Sequence, residues 1–243
     1  MLEIILHDGP ARLGKYEKGN TPAILKPDTA IPIIKDEPMP YDVPRALAEW
    51  SVQKTIENAK KSREKGLVVI HGSKYLDLRI QCAKKLDELG YTIFMIVNSE
   101  QLLKKPRDLV DIVVNIRETL NPNSALYFPF ADIVFVPLLA YMGVDLFGDF
   151  VCDFYAYQNI MLTPTTKYDL EKYQIFDFNL KELKKYNMSV MDFVIREVRE
   201  NIKNGTLRNL VEGSCCALPE AMSALRILDK EYGSFLEKYT PLY

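Results

Sequence analysis

Residues 138–153 read LLAYMGVDLFGDFVCD. A helix-like apolar run breaks at Gly143 and gives way to a short apolar segment, Val144 to Phe147, with one acid inside it, Asp145. Two more acids follow, Asp149 directly after Gly148 and Asp153 after Phe-Val-Cys. A strand about five residues long that ends in Gly-Asp presents a carboxylate at the C-terminal rim of a parallel sheet, the end where α/β barrels keep their chemistry. The same pair also reads as a plain strand-to-loop turn or helix N-cap. Asp149 and Asp145 are therefore the candidate catalytic carboxylates, and the expected fold is α/β.

The chain upstream alternates in a way that fits this class. LVVIHG (67–72) reads as a buried strand, SKYLDLR as a loop, RIQCAKKLDELGY as a helix ending at Gly90, and TIFMIVN (92–98) as the next strand. Such alternation predicts a parallel sheet with crossover helices. His71 and Gly72 close the first strand, Lys74, Asp77 and Arg79 follow at once, and Asn98 closes the second. Because a barrel builds its pocket at these ends, His71, Gly72, Lys74, Asp77, Arg79 and Asn98 are candidate substrate-binding residues. A lone His at such a place also serves as a hydrogen-bonded wall residue.

Further out, residues 2–35 read as a hairpin turning through Asp8-Gly9 and an extended arm, with short strands at TPAILKP and IPII. DEPMPYDVP (36–44) carries three prolines and is a loop. RALAEWSVQKTIENAKKSREKG predicts an amphipathic helix with Leu47, Trp50, Ile56 and Ala59 on its apolar face, closed by Gly66. Its Lys60, Lys61, Arg63 and Lys65 read as a solvated end complementing the helix dipole, or as phosphate contacts. Beyond Asn98 comes a helix interrupted near Pro106, then ALYFPF. After residue 153 the chain passes a Pro164-Thr165 turn. A long helical stretch in two pieces broken near Asn187 is expected next, and then further helices. With no repeat or low-complexity linker, residues 1–243 are expected to form one domain. Residues 1–45 would be its hairpin and arm, and 180–243 its C-terminal helical part.

Composition limits the function. The 243 residues are 48% apolar and 26% charged with a net charge of −2, as in an ordinary globular protein with no overall basic field. Any nucleic-acid contact must be local or borrowed from a partner. No run approaches the ~20 apolar residues of a membrane span, and MLEIILHDG lacks the basic region of a signal peptide, so a cytoplasmic location is expected. Of the four cysteines, Cys215 and Cys216 are adjacent and read as small buried residues. There is no C-x-x-C, and the two histidines, His7 and His71, lie far from that pair. Neither a metal nor a cofactor is expected.

Several segments carry a resemblance over most of the chain: DG-x-AR-x-G at the start, then PYDVPRALAEWSVQKT, HGSKYLDLR, ALYFPF, AYMGVDLF, MLTPTTKYDL, and GTLRNLVEGSCCALPEAMSALRILD with EKYTPL. Together they resemble the tRNA-guanine transglycosylase superfamily, and within it the archaeosine synthase branch. The resemblance implies a TIM-like (β/α)8 barrel of the transglycosylase type with a C-terminal helical segment. It also implies a role in tRNA modification. His71 stands where the family usually has a Gln that reads the deazaguanine base.

The departures define what that role can be. In the transglycosylase pattern the carboxylate nucleophile directly follows GVD-x-F; here that position is Gly148, and the nearest acid is Asp149. The D-S-G-G-F-Q segment with the proton-handling acid has no counterpart. The glycine floor of the base pocket corresponds to Ile96–Asn98, where Ile96 and Val97 are expected to fill the space. The zinc insertion and the C-terminal RNA-binding domain are missing, so classical base exchange by this chain alone is not expected. Archaeosine synthases add lysine to 7-cyano-7-deazaguanine in the tRNA D-loop and carry P-C-x-x-x-K-P-Y-x-x-S-x-x-H after the barrel, a motif this chain lacks. One reading is the barrel half of a split synthase, meeting tRNA through a separate catalytic and RNA-binding subunit. Another is a self-contained enzyme using Asp149 with Asp145 or His71. A third is an inactive scaffold. A homo- or hetero-oligomer is compatible with each.

Overall fold

A computed structural model describes residues 2–16, 19–25 and 31–238. The chain opens with an antiparallel sheet of β1 (Glu3–Asp8), β2 (Ala11–Tyr16) and β3 (Gly19–Thr21), then β4 (Ala23–Leu25). After α1 (Arg45–Lys61) come β5 (Leu67–Ile70), α2 (Leu76–Glu88), β6 (Ile93–Ile96), α3 (Ser99–Leu103), α4 (Pro106–Thr119) and β7 (Ala125–Phe128). A 3-10 turn, Ile133–Phe135, leads through α5 (Val136–Tyr141) to β8 (Leu146–Gly148) and α6 (Phe150–Tyr157). A small hairpin follows, β9 (Ile160–Leu162) with β10 (Lys167–Asp169), and then α7 (Leu170–Tyr173). The C-terminal segment is helical: α8 (Leu180–Asn204), α9 (Leu207–Cys215), α10 (Pro219–Glu231) and α11 (Gly233–Lys238).

The main sheet has the order β4-β8-β7-β6-β5, with every neighbouring pair parallel. One arm touches both of its edges: Ala23–Leu25 pair with β8, while Ile33 bridges to Leu67 at the start of β5. Alternation splits the strand residues into two layers. Val68, Ile70, Phe94, Ile96, Leu126, Phe128 and Phe147 pack outward beneath the helices. Leu67, Val69, Ile93, Ala125, Tyr127 and Leu146 share an inner core with Ala23 and Leu25 of the opposite edge, plugged by Leu2 and Tyr16 of the hairpin. Edge strands that share one inner core belong to a curled sheet. The architecture is thus the α/β, TIM-like one, wrapped by helices; five strands carry the parallel ladder among the described residues.

One buried ion pair fixes the plug. Arg12 on β2 grips Asp145 bidentately, Nε and Nη2 each 2.7 Å from a carboxylate oxygen, and both residues are buried. Arg12 also donates to the carbonyls of Pro122 and Ser124, and Asp145 accepts from the Leu126 amide at 2.8 Å. Arg117 donates to the Ser124 and Asn121 carbonyls at 2.8 and 2.7 Å, extending the network.

Several local expectations change. The buried face of α1 is Ala48, Ser51, Val52, Thr55 and Ala59, while Leu47 and Trp50 are exposed. Small residues win that face because the 36–37 backbone lies against it: Ser51 Oγ donates to the Glu37 carbonyl at 2.6 Å and Thr55 Oγ1 accepts from the Glu37 amide at 3.3 Å. The helix ends at Lys61, before Gly66. LDLR belongs to α2, which starts at Leu76. α8 is one continuous helix of 25 residues opened by an Asn179–Glu182 capping box. Asn187 does not break it. Its buried amide accepts from the Leu162 amide at 2.9 Å and donates to the Ile160 carbonyl at 3.0 Å, tying β9 to the helix. Cys215 is buried as expected, but Cys216 is exposed. The expected strand at TPAILKP is β4, and its Lys26 and Pro27 lie outside the described residues. IPII contributes a single bridge.

Replacing Arg12 by Met removes the bidentate partner of the buried Asp145 carboxylate and leaves it Arg117, whose Nη1 is 3.9 Å away. Removing one partner of such a pair typically costs about 3–5 kcal/mol. Urea unfolding of Arg12→Met is expected to show a loss of that order, read from the transition midpoint.

Candidate ligand site at the C-terminal rim

His71 follows β5 with the parity of the inner layer and is buried. Its Nε2 lies 2.7 Å from Oδ2 of Asp36, which reaches over from the proline-rich loop. A carboxylate partner fixes Nε2 as the protonated nitrogen, leaving Nδ1 as an acceptor. That Nδ1 is buried with no hydrogen-bond partner, as is the Ser73 hydroxyl two residues on. Native proteins rarely leave such groups unmatched, and each orphan costs about 1–3 kcal/mol until something pairs with it. Two such groups stand within three residues of one rim loop, which makes it the candidate site.

The loop is held open by backbone that side chains disfavour. Ser73 and Asn98 both hold left-handed φ, +52° and +61°. Gly72 has φ +142°, and a β-carbon there would lie 2.6 Å from the Arg79 amide nitrogen. The glycine lets α2 begin directly against the end of β5. Arg79 is fully buried and has no ion-pair partner among the described residues; its Nε donates to the Ser73 carbonyl at 2.7 Å, and its guanidinium reaches the Val97 carbonyl at 3.3 Å and Asn98 Oδ1 at 3.2 Å. Burial pushes its pKa down to about 10. Asn98 also donates to the Met39 carbonyl at 3.1 Å. His71, Gly72, Arg79 and Asn98 therefore meet in one buried cluster.

Lys74 and Asp77 do not join them. Lys74 pairs with Asp42 at 2.6 Å, and Asp77 accepts from the Arg45 guanidinium, all on the exposed surface. Lys74 lies in the turn before α2 and Asp77 in its first turn, both on the outer surface, and exposed pairs of this kind are weak. Val97 packs against the inner core, but Ile96 faces the outer helical layer and so does not fill the barrel mouth.

The two candidate carboxylates lie at opposite ends of β8. Asp145 precedes the strand, buried in the Arg12 network; Asp149 follows it, half-buried at the start of α6. Gly148 has inner-layer parity, yet a β-carbon there would sit 2.1 Å from the Pro129 carbonyl oxygen and 2.9 Å from the Tyr127 hydroxyl. The position is closed to any side chain. Burial, with the Asp149 charge second, pushes the Tyr127 phenol up to about 12.

Beyond β7 lies a second polar cluster that sequence reasoning missed. Lys167 Nζ sits 2.5 Å from Asp132 Oδ2 and 2.9 Å from the Tyr155 hydroxyl, and Tyr155 donates to Asp132 at 2.8 Å. They line a cavity of about 300 Å³ with aromatic walls, Phe130, Phe135 and Phe154. Asp36, Ser73, Asp132, Tyr155 and Lys167 lie in loops, at a strand start or on the short α6, where no spacing signal marks them. Among the described residues no three His, Cys, Asp or Glu side chains converge as metal ligands, and no helix is long and apolar enough to cross a membrane.

Comparison with known proteins agrees with this architecture. Residues 20–182 match the family model described as queuine tRNA-ribosyltransferase, a range that holds all five parallel strands and the rim. The chain is 32% identical to the tRNA-guanine(15) transglycosylase of Pyrococcus furiosus, over 95% of this chain and 44% of that relative. It is 30% identical to the archaeosine synthase of Methanocaldococcus jannaschii, over 74% of this chain and 30% of that relative. The chain thus spans less than half the length of these two relatives. With two thirds of its residues inside the family match, the chain belongs to the queuine tRNA-ribosyltransferase family.

Proposed function

We propose that this chain is the barrel subunit of a split archaeosine synthase. It would act on 7-cyano-7-deazaguanine in the tRNA D-loop, with lysine addition carried out together with a separate catalytic and RNA-binding chain. The observation that carries this reading is Gly148. The family nucleophile position faces the inner layer but is sealed by the Pro129 carbonyl and the Tyr127 hydroxyl, so no carboxylate can reach a ribose from there. The neighbouring rim keeps the features of a binding site, with orphaned acceptor and hydroxyl groups on His71 and Ser73. Likeness to an archaeosine synthase over 74% of the chain supports the choice of branch.

In this proposal His71, Gly72, Arg79 and Asn98 hold the base or its exocyclic group. The Nδ1 acceptor of His71 meets an N–H donor, Asp36 orients the ring, and Arg79 with Asn98 props the loop. Lys74 and Asp77 stand at the outer lip. The second reading, a self-contained enzyme, rests on Asp149 at the C-terminal end of β8.

Affinity capture of the chain from its native cell extract at mild salt tests the assembly. The expected result is a second protein carrying P-C-x-x-x-K-P-Y, co-eluting with tRNA; recovery of the chain alone, turning over tRNA by itself, would overturn the subunit reading. In the assembled complex Asp149→Asn is expected to leave turnover unchanged, whereas a fall of roughly 10²–10⁴-fold would assign Asp149 acid–base work. His71→Leu is expected to raise KM about tenfold with kcat held, the loss of one hydrogen bond of about 1.4 kcal/mol. Gly148→Asp is expected to restore no base exchange and to destabilise the fold by about 1–3 kcal/mol or more through overpacking, read by urea unfolding.

A further inference from the structure

At the end of the barrel opposite the rim, the β1–β2 hairpin and the last turns of α8 enclose a groove of about 570 Å³. Four cations converge on it: Lys15 from β2, and Arg196, Arg199 and Lys203 from α8. The three helical positions are spaced by three and four residues, so they form one stripe roughly 10 Å long. The lining carboxylate is Glu200, 3.7 Å from Lys203, and Glu3 stands opposite Lys15 in the β1–β2 ladder. No carboxylate comes within ion-pair distance of Arg196 or Arg199 among the described residues; Arg199 reaches only the Asn20 carbonyl, at 3.5 Å. Burial, and then the charge of Arg196 beside it, push the Arg199 pKa down.

Lys15 and Lys203 have acids beside them, and Asp192 acts on Arg199 from a distance. Arg196 and Arg199 nevertheless stand together with no carboxylate in ion-pair contact among the described residues, and such a pair marks a place for an anion. The whole chain has a net charge of −2, so this concentration of cations is local. The apolar floor is Ile5 and Leu13, both aliphatic, and no aromatic ring among the described residues lines the groove. Bases therefore have nothing to stack on. A stripe of roughly 10 Å is long enough to meet more than one phosphate of a strand.

We propose that this groove binds the ribose-phosphate backbone of an RNA strand, through its phosphate oxygens and without reading base sequence. It rests on the tRNA-directed reading above and adds a contact surface within this chain, at the far end from the base site.

The test is filter binding of an unmodified tRNA transcript to the whole chain across a NaCl series. Arg196→Glu with Arg199→Glu is expected to weaken binding at least tenfold at low salt. It should also make the slope of log K against log[NaCl] shallower by about 1.4, two phosphates at about 0.7 each. Arg196→Gln alone, at an exposed position, is expected to give about half that change in slope, with an unaltered thermal midpoint confirming the fold. A scrambled RNA of equal length is expected to bind the wild-type chain equally well. Unchanged affinity and slope in the double variant would overturn the groove, as would the absence of salt-dependent binding by the wild type or a strong preference for one sequence. If the assembled complex modifies tRNA while the variants bind normally, the groove fails and the subunit reading stands. If the variants lose RNA but no partner is ever captured, the reverse holds.

Discussion

Arg12 and Asp145 hold the two ends of the molecule's logic together. The arginine sits on the hairpin and the carboxylate immediately before β8, and their bidentate contact is closed to water on all sides. A pair desolvated this fully is worth keeping only when its remaining donors and acceptors are matched. Here they are, by the Pro122 and Ser124 carbonyls and the Leu126 amide. The hairpin is thereby fixed against the start of β7 and β8, where Leu2 and Tyr16 fill the inner core. With one end of the barrel plugged, the candidate site lies at the opposite rim.

At that rim the fold separates support from presentation. Arg79 spends its donors on backbone carbonyls and on Asn98, which stiffens the ends of β5 and β6 without neutralising any substrate charge. His71 presents an acceptor whose direction is set by Asp36. Across the sheet, Gly148 is excluded from side-chain chemistry by the close approach of Pro129. The result is a rim with the candidate binding groups on the β5–β6 side and, on β8, a glycine position closed to any side chain. A second polar cluster, Asp132, Tyr155 and Lys167, stands outside the mouth.

Much of this was legible in the sequence. The β-α-β period around 67–98 predicts β5, α2 and β6, and GVDLF marks β8, because a buried parallel strand must be a short, unbroken apolar run. The ends of two predicted strands single out His71, Gly72, Lys74, Asp77, Arg79 and Asn98; of these, Gly72, Arg79 and Asn98 are in contact range of one another's segments next to His71. What escaped were features set by contacts from distant segments. Nothing local says that Ser51 and Thr55, rather than Leu47 and Trp50, face inward on α1; the decision is made by the 36–37 backbone. Nothing local says that Asn187 serves β9 instead of breaking a helix, or that Asp145 is held by an arginine 133 residues earlier. Lys74 and Asp77 are near the pocket in sequence, but surface partners, Asp42 and Arg45, hold them away from it.

The sequence separation of that ion pair also sets an order of assembly. Each of β6 to β8 pairs with its predecessor in the chain, so β5 to β8 can join as they emerge from synthesis. The hairpin and β4 cannot. Their partners, Asp145 and β8, lie more than a hundred residues downstream, and bringing such distant segments together is slow because the loop must close before any contact rewards it. The strands made first are the last to be placed. Until β8 arrives, the N-terminal arm waits as unpaired β-edge, the part of the nascent chain most exposed to wrong partners.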